Sequence, residues 1–352
     1  MTFVLASRLS LAVVALAGAA TLVGCSSAPP PPPPPPPPAP PPPAAELSLA
    51  PAIIQAAAAY QAYMARTAAI KPDFQNGDDV AGALRAGESY DPKLLLRGEI
   101  AYAAVAALQD PAFVAELRSY SIDSAGRQQM IKTLEGDSNF VNAFKNAGSA
   151  AGLAERALLT QGQDLDAAGK AMKQEAYDMQ HQAWSIAFVE NRDARLAEAK
   201  TLSTDTPSAS IDEADRMRRA AEGAEPLAFN GPAVAAAPYP SVVVRGLNIA
   251  ALALLGAAGD DQASQLEHLF DDKRDEACLS MSKLNLYQCL AGAKPHYEDV
   301  FCLGQHVMMD TAQCVRVAAG EAAPSFEPLP VSATETPYAA KARGKKKVKT
   351  KA

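Results

Sequence analysis

Most side chains in this 352-residue chain whose types and spacing could do chemistry fall in its last quarter. Cys278, Cys289, Cys302 and Cys314 form an even set whose simplest chemistry is two disulfides, with three connectivities to choose from. Ser280 and Lys283 stand one helical turn apart, the spacing at which a lysine could take the proton of a serine nucleophile. His296, Asp299, His306 and Asp310 are close enough in sequence to crowd as metal ligands, but no His-x-x-x-His or Cys-x-x-Cys accompanies them. Glu88 beside Ser89 offers a carboxylic acid of the kind that cleaves glycosidic bonds. None of these sets is complete and no glycine-rich phosphate loop is present. The expectation is therefore a chain with no catalytic residues, no metal and no cofactor.

The partial motifs resemble known families only locally. Ser280-Met281-Ser282-Lys283 is similar to the nucleophile motif of penicillin-binding proteins and serine β-lactamases, yet the Ser-Asp-Asn and Lys-Thr-Gly partners are absent. Glu88-Ser89 resembles the catalytic dipeptide of lytic transglycosylases, but the glycine-leucine-methionine-glutamine segment that should follow is missing. The fifth cysteine is more informative. Arg8 and the apolar run Leu9 to Val23 read as a secretory leader, too short for a membrane span, and Leu22-Val23-Gly24-Cys25 resembles the bacterial lipobox. The resemblance implies cleavage before Cys25, a diacylglycerol on its thiol and an acyl chain on the new amino group, which together give durable attachment to a lipid bilayer. Ser26 stands where the enterobacterial retention signal has Asp, so the resemblance implies the periplasmic face of the outer membrane. The alternative, a plain signal peptide, would be cut after a small-x-small triplet instead.

The elements that must position these groups are helices. By count 75 residues are alanine and only 6% are aromatic, which favours helix and disfavours strand. The expected fold class is all-α: an irregular multi-helix body with a C-terminal disulfide-stapled hairpin, flanked by disordered Pro-rich and basic segments. The expected organisation is a leader over 1–24, the lipidated Cys25 and a polyproline spacer over 25–45, and helical regions over 46–203 and 241–318. A connection with a short helix spans 204–240, and a tail 319–352. Fourteen of the 28 prolines lie between Pro29 and Pro43, where a polyproline II rod would reach roughly 45 Å.

Within the body, Asp91-Pro92 and Asp110-Pro111 each place an N-cap before a proline at the first helical turn. A long helix is expected from about Gln163 to Leu202, with Tyr177, His181, Trp184 and Phe188 forming one buried face and Asp178 orienting His181. Tyr90 to Gly98 has a faint echo in Tyr239 to Gly246, each leading into an Ala/Leu-rich helix. Helices are expected over Asp271 to Leu290 and Pro295 to Ala312. Cysteines eleven apart on one helix are about 16 Å apart, beyond disulfide reach. Two antiparallel helices would instead form rungs, Cys289 with Cys302 inside and Cys278 with Cys314 outside.

Charge separates along the chain. The net −7 is a cancellation of −14 before residue 341 and +7 from Lys341, Arg343, Lys345, Lys346, Lys347, Lys349 and Lys351. In an envelope compartment such a run points to a polyanion such as peptidoglycan rather than to nucleic acid, with a solvated or back-folded tail as the competing assignment. The functional expectation is a non-enzymatic, outer-membrane-anchored periplasmic lipoprotein with a structural or scaffolding role, bridging membrane and peptidoglycan. The alternatives are, first, a helical binding module or assembly factor for another envelope protein and, after it, a cell-wall-modifying enzyme.

Overall fold

Proline and aspartate set most of the helix starts. In the computed structural model, which describes residues 46–229 and 233–323, Pro51, Pro92 and Pro111 open α1 (Pro51–Ala68), α3 (Pro92–Ala107) and α4 (Pro111–Tyr120). The Asp91 carboxylate accepts from the Lys93 and Leu94 amides, and Asp110 accepts from Phe113. The same device caps two helices that the sequence reading did not separate, α2 (Gly77–Glu88) through Asn76 and α5 (Ser124–Gly136) through Asp123. The remaining helices are α6 (Ala147–Asp178), α7 (Arg192–Leu202), α8 (Ile211–Ala221), α9 (Ser241–Leu254), α10 (Lys273–Gly292), α11 (His296–Cys302) and α12 (Asp310–Ala318). A 3₁₀ stretch fills Asp260–Phe270, and a π-helical stretch, Leu303–Met309, joins α11 to α12. The fold is all-α, with no strand among the described residues.

α3 is the centre of the body. Every residue from Gly98 to Ala107 is buried, and the helix lies against α1, α6 and α9. The echoed glycines explain why those crossings are close: a Cβ on Gly98 would fall 2.6 Å from the Ala56 carbonyl oxygen of α1, and one on Gly246 2.7 Å from the Ala103 Cβ of α3. The echoed arginines also share a task. Arg97 forks onto Glu267 at 2.7 and 2.9 Å and lies over the Phe270 ring, while Arg245 donates to the His268 carbonyl, so both clamp the 3₁₀ stretch. α8, inside the stretch read as a connection, buries Met217, Ala220 and Ala221 and packs on α1.

The long helix is a correction. α6 starts at Ala147 and ends at Asp178, and α7 begins only at Arg192. Between them the chain runs through a 3₁₀ turn, Met179–His181, and further turns to a strap that pairs with 294–297 around a single bridge, Phe188 to Pro295: Val189 donates to the Lys294 carbonyl, His296 to Ala187 and Tyr297 to Ser185. The expected aromatic face therefore does not exist as a core stripe. Tyr177 and Phe188 are exposed, His181 is exposed, Trp184 is half-buried, and Asp178 accepts from Gln174 rather than orienting the histidine.

α10 and the arm formed by α11, the π stretch and α12 make an antiparallel hairpin docked on α6. Cys278 is bonded to Cys314 and Cys289 to Cys302, each with Cα atoms 5.7 Å apart. Eleven residues separate the cysteines on α10 but twelve separate those on the arm. At about 100° each, twelve α-helical residues overshoot three turns by a third of one. The π stretch, which winds more residues into a turn, absorbs the extra residue and returns Cys302 and Cys314 to one side.

Candidate functional site

The strap and the helices on either side of it enclose an open cleft of about 860 Å³. Its floor is an ion pair between Arg195 of α7 and Asp299 of α11, the latter 2% exposed. The Arg195 guanidinium also donates to the Leu290 and Ala293 carbonyls where α10 ends, so one side chain ties α7 to both arms of the hairpin. Burial pushes the Asp299 carboxyl up to about 6 despite Arg195. His296 forms another wall, its ring lying flat on Gly77, where a Cβ would meet Cε1 at 2.3 Å. Burial, then the Arg195 charge, hold His296 below the ordinary imidazole range. Asn191, at φ 51°, makes the left-handed turn from strap to α7, and Arg192 behind it donates to the Ala293 and Ala291 carbonyls. Arg85 of α2 pairs with Glu198 across the opening at 2.9 Å.

Behind the cleft lies a fully enclosed polar cluster. Lys283, 4% exposed, donates to the Glu88 backbone carbonyl and sits 3.5 Å from the Tyr90 ring centroid. The Tyr90 hydroxyl meets Thr311 at 3.0 Å, and Ser282 bonds both Thr311 and the His306 carbonyl. Burial drives Lys283 down to about 7 and Glu88 up to about 7, so both are pushed toward their neutral forms. No family model, curated protein or solved structure matches the chain. Chemistry must therefore be judged from this geometry alone.

The geometry separates groups that the sequence placed together. Ser280 faces solvent while Lys283 points into the core, so they form no nucleophile–base pair. The four candidate metal ligands split: His296 and Asp299 line the cleft, whereas His306 Nδ1 lies 2.8 Å from Asp310 Oδ2 on the arm. Burial raises Asp310, but hydrogen bonds from His306, Gln305 and Asn285 outweigh it and hold the carboxyl below its usual range. Among the described residues no group of three or more His, Cys, Asp or Glu could hold a metal. Glu88, the candidate glycosidic acid, is the buried last residue of α2. Cys25, the proline run and the cations Lys341 to Lys351 lie outside the described residues. No single described helix is long and apolar enough to cross a membrane.

Sequence reasoning missed Arg195, Arg85 and the strap, but Lys283 left a signal. Leu279, Ser282, Leu286 and Leu290 trace the buried face of α10, and Lys283 stands in that stripe.

These buried groups give stability an unusual pH profile. Burial raises Glu99 well above its ordinary value, with Asp275 and Asp272 adding to it, and raises Asp275 to about 6. With Glu88 and Asp299, four carboxyls keep protons in the folded state that the unfolded chain has released, so stability falls as pH rises from about 4.5 to 7. Lys283 is depressed, so the unfolded chain binds its proton first as pH drops from about 10 to 7, and stability falls in that direction too. Urea unfolding across pH 5 to about 9 should show a minimum near neutrality, with limbs of up to about 1.4 kcal/mol per pH unit per group. Lys283→Met should flatten the alkaline limb and, because the Lys283 charge lowers Glu88, carry the acid limb to higher pH. A stability that rises steadily from pH 5 to about 9 would contradict the assignment.

Proposed function

We propose that this chain is an outer-membrane-anchored periplasmic lipoprotein with a non-catalytic, structural or scaffolding role in the cell envelope, bridging the membrane and peptidoglycan. The observation that carries the reading is the two-rung disulfide ladder between α10 and the arm, because bridges of this kind persist in oxidising compartments and not in a reducing cytosol. The lipobox-like Leu22-Val23-Gly24-Cys25, the proline spacer and the cationic end agree with it from the sequence. In this reading the acylated Cys25 holds one end in the bilayer, the proline run sets the stand-off and the helical body is the folded payload.

The cleft favours a second reading, a binding module or assembly factor for another envelope protein. An open recess with an arginine–carboxylate floor and an exposed aromatic lip suits a partner segment.

Sedimentation with purified cell walls separates the two. The bridging reading expects full-length protein to pellet with walls at low salt and to be released by high salt or by removal of Lys341 to Ala352. Cys25→Ala should abolish partitioning into membranes. Salt-insensitive or tail-independent pelleting defeats the electrostatic bridge, and a stoichiometric protein partner that co-purifies promotes the binding module.

A further inference from the structure

The cleft carries more negative charge than its own arginines cover. Arg85 is engaged by Glu198 and Arg195 by Asp299, whereas Asp78 and Glu190, both exposed in the wall, have no cationic partner among the described residues. Phe188 stands at the lip with 67% of its surface exposed, an aromatic face of the kind that attracts ammonium groups. The strap supplies a third element. Ala187 and Val189 spend their carbonyl and amide on the hairpin, so the peptide groups of Phe188 turn the other way and have no backbone partner among the described residues. Unpaired acids, an exposed aromatic ring and the outward-turned peptide groups of Phe188 together fit a cationic peptide lying extended across this one residue.

The chain contains such a peptide. Lys341, Arg343, Lys345, Lys347, Lys349 and Lys351 fall on every second position, which puts six cations on one face of an extended segment and leaves Ala342, Gly344, Val348 and Thr350, with the seventh cation Lys346, on the other. Residues 46–323 hold 37 acids against 24 bases, a net −13 facing this +7. The route is short. Arg316 of α12 pairs with Asp166 of α6 at 3.4 Å, and α6 ends at Asp178, twelve residues or about 18 Å further on, where the chain turns into the strap. The 17 residues between Ala323 and Lys341 span up to about 60 Å.

We propose that the cleft seats the chain's own segment Lys341–Lys351 extended across Phe188, with its cations toward Asp78 and Glu190. A seated segment is withheld from an outside polyanion until that polyanion competes for it. The proposal goes beyond wall bridging and does not rest on it, since it concerns the protein alone in buffer.

Zero-length carbodiimide cross-linking of the dilute full-length chain tests it. Tail lysines should link to Asp78 or Glu190, and the links should disappear in about 1 M salt, where the screening length is about 3 Å. Phe188→Ala, which keeps both carboxyls, should lower the yield several-fold. Rearranging residues 341–351 so that the seven cations are contiguous keeps the charge but breaks the alternation, and should lower it as well. Independently of cross-linking, Asp78→Asn with Glu190→Gln should speed trypsin cleavage of the tail several-fold. Links spread over surface acids generally, a yield that survives both Phe188→Ala and the rearranged tail, or a yield that rises with protein concentration would overturn the proposal. The last outcome would assign the occupant to a second copy.

Discussion

Arg195→Ala lowers the unfolding free energy by about 3–5 kcal/mol, the range for stranding one partner of a buried ion pair. The cost has two sources. Asp299, 2% exposed, loses its counter-charge, and the Leu290 carbonyl near the end of α10 loses its side-chain donor, while Ala293 keeps Arg192. The deficit has a diagnostic pH dependence. Without Arg195 the Asp299 carboxyl rises above its present value of about 6. The folded variant then retains a proton that the folded wild type releases, so the deficit is smaller at pH 5 and grows toward pH 8. Replacing both partners, Arg195→Met with Asp299→Leu, should recover most of the loss, because two apolar groups leave no stranded charge. Urea titrations at the two pH values measure this, and an Arg195→Ala variant within about 0.5 kcal/mol of wild type would show the pair to be solvated through the cleft.

Removing the outer disulfide, Cys278→Ala with Cys314→Ala, should cost about 4 kcal/mol, and removing the inner one, Cys289→Ala with Cys302→Ala, about 3 kcal/mol. The difference follows from the sequence separations, 36 and 13, because the longer loop restricts the unfolded chain more. The inner bridge has a second, local effect. It closes the hairpin beside Ala293 and His296, where Arg192, Arg195 and the strap all attach, so its loss should raise amide exchange over 185–191 while the outer variant leaves that segment protected. Equal exchange in the two variants would remove the inner bridge from any part in shaping the cleft.

What was legible in the sequence was local. Asp-Pro steps announce α3 and α4 because the cap and the fixed φ act within one turn, and cysteine spacing on antiparallel helices restricts which rungs can form. The end of α6 was not legible. Nothing between Asp178 and Asn191 is glycine or proline, and the helix stops because the Ser185 hydroxyl takes the Met179 carbonyl and the strap finds partners more than a hundred residues away. The candidate site inherits that problem. Asn76 to Arg85, Ala187 to Glu198 and His296 to Asp299 meet only through tertiary packing, and Arg195 sits in a helix whose sequence reads as a solvated face. Lys283 was readable in principle, as a charge standing in the leucine stripe of α10.

The π stretch at Leu303–Met309 has a mechanical consequence. An α-helical arm and a π-containing arm differ in phase by about 100° beyond the wide turn, and both satisfy nearly the same backbone bonds. What selects between them is outside the arm: two sulfur links, one on each side of the turn, and the Ser282 hydroxyl held on the His306 carbonyl at 2.6 Å. The hairpin thus behaves as a torsion element clamped at both ends. Its rotational setting is tied to two covalent bonds, so which faces of α12 meet α6 depends on residues outside α12, on α10 and at Cys302.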